Sequence, residues 1–153
     1  VHVPPDRASA LAELFQAKCR VAVKEAEDKE PIRSGTVYFA PPNYHLLVET
    51  DGRLSLSSDE PVLFSRPSID VLLESAADAY ESRLLGIVLT GASSDGAAGL
   101  RSVCEAGGTA IVQSPATAHM PTMPLAALGA CPEATPMPLQ RISEYLLEVA
   151  ALE

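Results

Sequence analysis

The stretch LGIVLTGASSDGAAGL, residues 85–100, decides the fold. Residues 85–89 are an almost unbroken apolar run, the pattern of a strand buried on both faces of a parallel sheet. The run ends in Thr90-Gly91-Ala92-Ser93-Ser94-Asp95-Gly96, small residues with a single carboxylate among them. Leu100, Val103 and Cys104 then recur at helical spacing until Gly107-Gly108 stops the pattern. This is a strand, a tight turn and a helix, and ligands of open α/β sheets gather at such carboxyl strand ends.

Asp95 has two compatible readings. As an N-cap, its carboxylate accepts the free amides at the start of the following helix. As a site residue, it is held ionised by the same amides and dipole and orients a histidine. A phosphate cradle is a poor fit. Gly91, Gly96 and Gly99 do not have the GxGxxG spacing, no Gly-Lys-Ser/Thr follows, and Asp95 would repel phosphate.

Working outward, the 153 residues are enough for one domain with a sizeable core. Hydrophobic content of 47% and charged content of 20% mark an ordinary globular chain, and without Trp its core must be aliphatic. A net charge of −9 argues against nucleic-acid binding and against a polybasic membrane contact. No apolar run approaches the roughly 20 residues that span a bilayer. Cys19, Cys104 and Cys131, odd in number and irregularly spaced, read as reduced thiols of a cytoplasmic protein, with no metal-ligand spacing.

Upstream, Val1-His2-Val3 reads as the tail of a strand, which puts His2 at a carboxyl strand end as well. A solvated side chain is the ordinary reading of a histidine near a terminus. Asp6 is a candidate N-cap for a helix carrying Leu11, Leu14 and Phe15. Strands are expected over residues 20–23 and 35–40, with the charged run KEAEDKE between them as a solvated loop. Residues 45–50 and 53–56 flank Asp51-Gly52, the signal of a type I′ hairpin appended to the sheet. Ile69, Leu72, Leu73, Ala76, Ala77 and Tyr80 form one helical stripe, with Ser68 as N-cap and Asp70 adding charge to the first turn. Arg66, just outside that cap, is either a substrate-facing cation or a surface or ion-pairing residue.

Downstream, residues 109–113 form a further buried strand, residues 114–124 are too Pro-rich for regular structure, and residues 125–128 add a helical turn. Ile142, Leu146 and Val149 mark a final amphipathic helix. The β–α alternation predicts an α/β fold of three layers, a doubly wound and mostly parallel sheet with an appended antiparallel hairpin.

Five segments taken together resemble one family. They are VHVPPDRAS (1–9), VKEAEDKEPIRSGTVYFAPPNYHLLVE (23–49), SRPSIDVLLESAA (65–77), IVLTGASSDGAAGL (87–100) and GGTAIVQSPATAHMPTMPLAAL (107–128). In order and spacing they are similar to the catalytic domain of the chemotaxis protein-glutamate methylesterases (CheB-type). That resemblance implies a cytoplasmic serine esterase that releases methanol from methylated glutamates of chemoreceptors, with a Ser–His–Asp arrangement and no cofactor or metal. It places the catalytic histidine on His2 and the aspartate on Asp95. It places the oxyanion and substrate turn on Gly91, Ala92 and Ser93, with Arg66 and Met123 as substrate-side candidates. Ala92 and Ser93 stand where many members have Met and Gly, and Thr122 replaces a usual Gly. Backbone N–H donors survive such changes.

The family's nucleophile is a serine in a Gly-Ala-Ser-(Thr/Ala)-Gly-Gly turn, which these residues do not contain. The expectation is a single methylesterase-like domain over residues 1–153 that lacks its first strand-turn-helix unit. Alone, it should have little or no activity. Fused receiver or methyltransferase domains stay open. The alternative is a noncatalytic module that binds the receptor or another partner and has lost the nucleophile.

Overall fold

The computed structural model describes residues 1–4 and 9–150; the Asp6 cap lies outside them. Helix α1 is Leu11–Gln16, followed by strands β1 Ala22–Glu25 and β2 Thr36–Phe39. The hairpin is β3 His45–Val48 and β4 Leu54–Ser57, and α2 is Ile69–Tyr80. Then come β5 Leu85–Val88, α3 Ala97–Glu105, β6 Thr109–Gln113, α4 Thr122–Ala130, β7 Thr135–Met137 and α5 Leu139–Ala150. The fold is mixed α/β, with parallel sheets, helices on both sides and one antiparallel hairpin, as the β–α alternation predicts.

Among the described residues the strands bond in separate ladders. β1 pairs with β2 in parallel, β3 with β4 antiparallel, and β5–β6–β7 form an all-parallel sheet in which Ile111 pairs with both Ile87 and Thr135. The main core packs Val88 and Val112 of the sheet against Leu73, Leu100, Val103 and Ala127 of the helices. A smaller cluster of Ala26, Leu46 and Leu54 lies under the hairpin.

Several local expectations are corrected. In β5, Gly86 and Val88 are buried, but Leu85 and Ile87 are half-buried and Leu89 is exposed, so only one face is fully covered. The hairpin is not type I′. Glu49 N–H bonds to Arg53 O and Gly52 N–H to Glu49 O, which makes Thr50-Asp51-Gly52 a three-residue loop. Only Gly52 within it is left-handed (φ 80°), as in a turn closed by a glycine bulge. Residues 114–124 are partly helical. Pro121 caps α4 and Pro124 sits in its first turn, where amides have no intrahelical partner to lose. β7 is an edge strand, which tolerates Pro136. In α5 only Ile142 is buried, while Leu146 and Val149 are exposed.

The cysteine reading changes too. Cys104 and Cys131 are disulfide-bonded across a separation of 27 residues, and Cys19 is free. The physical reason is the side-by-side packing of α3 and α4, which sets the last turn of one against the C-cap of the other. Closing a loop of that length should stabilise the fold by about 3 to 4 kcal/mol on chain-entropy grounds. Urea unfolding with and without a thiol reductant checks this. Equal midpoints would show that the bond adds nothing.

Candidate active site

The amino termini of α2 and α3 meet, and each helix is capped by a carboxylate that belongs with the other. Asp95 is fully buried. Its Oδ1 accepts from the Ser68 hydroxyl (2.7 Å) and the Asp70 N–H (2.9 Å); its Oδ2 accepts from the Ile69 N–H (2.7 Å) and His2 Nε2 (2.6 Å). Asp95 therefore caps α2 rather than its own helix. α3 is capped instead by Asp70, whose Oδ1 accepts from the amides of Gly96 (2.8 Å) and Gly99 (2.7 Å). Ser68, expected as a cap, makes no cap bond and gives its hydroxyl to Asp95.

Two glycines allow this exchange. Gly96 is left-handed (φ 100°), and a Cβ at Gly99 would lie 2.7 Å from Leu73 Cβ and 3.0 Å from the Asp70 backbone. The helix backbones thus approach closely enough for a two-carbon side chain to reach across.

Burial works against the charge on Asp95. The bonds from His2, from the Ile69 and Asp70 amides and from the Ser68 hydroxyl outweigh it, and they hold the carboxyl below its ordinary value. Asp70 goes the other way. Burial raises it and the nearby Asp95 charge adds to that, while the Gly99 and Gly96 amides offset only part. With Asp95 ionised, His2 must carry its proton on Nε2, which leaves the Nδ1 lone pair to accept another.

A second histidine escaped the sequence reading. His45 is 1% exposed. Its Nδ1 accepts the Ser68 N–H (3.1 Å) while Nε2 donates to Glu60 O (3.1 Å), so it fixes the residue that feeds Asp95. Its position heading an apolar strand was the available signal.

Beside His2 lies an open cavity of about 330 Å³, bordered by Val3, Asn43, Arg66 and Pro67. Arg66 makes no ion pair among the described residues. It braces the cavity wall by donating to Asn43 Oδ1 and to the carbonyls of Ser58 and Asp59.

In the small-residue turn, Gly91 N–H is committed to Met120 O (3.0 Å), which leaves the amides of Ala92 and Ser93 as its candidate donors. Met123 is 6% exposed and belongs to the core, packed under Gly91, where a Cβ would meet its Cε at 2.6 Å. It therefore shapes the turn from beneath and does not line the cavity. No group of three His, Cys, Asp or Glu side chains converges among the described residues.

A histidine held on a buried carboxylate, beside the carboxyl end of a parallel strand, defines a His–Asp site on an α/β scaffold. Comparison with known proteins specifies it further. Residues 1–146 match the family model described as CheB methylesterase, and the chain belongs to that family. It is 49% identical over 136 residues to a Leptospira interrogans protein named as a protein-glutamate methylesterase/protein-glutamine glutaminase, covering 89% of this chain and 70% of that one. It is 40% identical to Rhodospirillum rubrum protein-glutamate methylesterase/protein-glutamine glutaminase 1, covering 97% of this chain but 39% of that protein. The crystal structure of the Thermotoga maritima CheB methylesterase catalytic domain superposes with a TM-score of 0.89 at 32% identity, over 97% of this chain and 80% of that one.

The capping exchange yields a test at Asp70. Asp70→Asn keeps an oxygen for the Gly96 and Gly99 amides and removes a charge that burial penalises. Because the folded-state pKa of Asp70 is raised, its penalty is present above that pKa and vanishes as pH falls below the unfolded value. Asp70→Asn should therefore be more stable than the parent near neutrality, and the advantage should disappear on acidification. Asp70→Ala orphans two amides and should lose about 1 to 3 kcal/mol throughout. Urea unfolding across pH measures both, and a pH-independent Asn effect would refute the charge argument.

Proposed function

We propose that the site hydrolyses methyl esters of glutamate side chains on chemoreceptors, in the cytoplasm, releasing methanol. The observation that carries this reading is the 2.6 Å contact of His2 Nε2 with the fully buried Asp95. Asp95 keeps the proton on Nε2 and stabilises the imidazolium that forms during reaction. His2 Nδ1 takes the proton of a serine hydroxyl as its oxygen attacks the ester carbonyl. The amides of Ala92 and Ser93 receive the oxyanion. Collapse of the tetrahedral intermediate breaks the bond to the methoxy group, which leaves as methanol with the proton from His2. Water, activated by the same histidine, then attacks the acyl-enzyme and frees the glutamate.

The family's Gly-Ala-Ser-(Thr/Ala)-Gly-Gly turn has no counterpart in these 153 residues, since Gly91-Ala92-Ser93 continues as Ser94-Asp95. We therefore assign the attacking hydroxyl to a segment of the full protein outside them. Arg66, with no carboxylate partner among the described residues, puts a positive charge beside the cavity where the product carboxylate forms.

Methanol release from methylated receptor tests the assignment. In the full-length protein, His2→Gln or Asp95→Asn should lower the rate by about 10³- to 10⁴-fold. Parent-like turnover by either variant would remove His2 and Asp95 from the chemistry. Residues 1–153 alone should be inactive, and full turnover by them would point to Ser93 or Ser94. No methanol from the full-length parent would favour the noncatalytic binding module.

A further inference from the structure

The cavity beside His2 is overhung by a turn that breaks the ordinary rules for its position. Val62 and Ser65 bond to each other in both directions (2.8 and 3.1 Å), closing a two-residue reverse turn on Leu63 and Phe64. Both central residues are left-handed, with φ of 47° and 65°. Turns of this kind favour Asn and Gly, because a large L side chain is strained there. Moreover, nothing among the described residues covers the tip: Phe64 is fully exposed and Leu63 is 48% exposed. The turn is firmly held from behind, since Arg66 grips the carbonyls of Ser58 and Asp59 and His45 holds that of Glu60. Phe64 forms part of the rim of the same cavity as His2 and Arg66. Strain retained at an exposed apolar tip beside a site calls for a functional account.

Resting on the methylesterase reading above, we propose that Leu63 and Phe64 are a docking tip that packs against apolar surface of the protein substrate next to the esterified side chain. The cavity is sized for a side chain, so the substrate's backbone and neighbouring residues must lie outside it, where the tip projects. A chain with a net charge of −9 gains no general electrostatic attraction toward a glutamate-bearing surface. Apolar contact at a rigid aromatic is the grip that remains, and such residues carry a large share of binding energy at protein contacts. The tip therefore governs affinity for the protein and leaves the chemical step alone.

The test is Leu63→Asn/Phe64→Gly in the full-length protein, which gives the turn its preferred residues. The variant should unfold at the same or a higher temperature, which separates docking from folding. KM for methylated receptor should rise about tenfold with kcat unchanged, and hydrolysis of p-nitrophenyl acetate should not change. An unchanged receptor KM, or an equal fall in p-nitrophenyl acetate turnover, overturns the proposal. Calorimetric titration of receptor against parent and variant reads the tip independently of chemistry. If no ester is hydrolysed by either protein, the methylesterase reading fails, and equal affinities in the titration then overturn the docking tip as well.

Discussion

Everything at this site depends on the exchange of caps between α2 and α3. Each helix begins with amides that have no partner inside the helix, and each begins beside the other. Two carboxylates satisfy both ends at once, in a place where neither reaches bulk water. Such an arrangement would be costly for two isolated buried charges. It is tolerable here because both helix dipoles point their positive ends at the pair. The exchange also fixes the angle at which the helices cross over the sheet, since Gly99 lets α3 close onto Asp70 and Leu73.

The two carboxylates are not equivalent, and the difference has a direction. Asp95 receives four hydrogen bonds, two of them from non-backbone donors, and its ionised form is favoured despite burial. Asp70 receives two amides on one oxygen and sits in the field of Asp95, so its ionised form is disfavoured. The repulsion between the pair is thus borne by the member that only holds the helices. The charge that faces His2 is the one the surroundings protect. His45 extends the same logic one step outward, because its bond to the Ser68 amide fixes the residue whose hydroxyl donates to Asp95.

The sequence carried the strand–turn–helix at residues 85–100 because small residues and Gly punctuation announce it, and that element alone located Asp95. What it did not reveal was which helix Asp95 caps. Capping rules assume a local partner, and here the partner lies on an element 26 residues away. A signal was nonetheless present. Asp70 falls on the stripe of Leu73 and Ala77 at i+3 and i+7, so a charged group was built into a buried face. Its acidic side chain looked like ordinary first-turn decoration. The disulfide was opaque for another reason, since it depends on how α3 packs on α4 and no spacing encodes that. The start of α4 at residues 122–124 was hidden because Pro counts as a breaker except in a first turn.

Local rules fail unevenly along this chain, and where they fail is informative. Some exceptions have structural answers: Glu81, with φ of 50°, ends α2, and Asn43, with φ of 64°, is a residue type that tolerates the left-handed region and also receives Arg66. Leu63 and Phe64 have no such answer, nor does burial reward them. Asp95, Asp70 and His45 are polar groups carried at 0%, 6% and 1% exposure, which is tolerable only with the hydrogen bonds they make. Asn43 and Phe64 border the cavity beside His2, Asp95 bonds His2, and His45 holds the Ser68 amide next to Pro67 of the cavity wall, while the core of sheet and helices follows ordinary patterning. In a chain whose levels otherwise agree, conflicts that gather at one mouth indicate selection for something other than stability there. The same reasoning separates the two kinds of conflict. The buried polar groups each find hydrogen-bond partners within the described residues. The Leu63–Phe64 tip is uncovered among the described residues, and contact with the protein substrate is the account proposed for it.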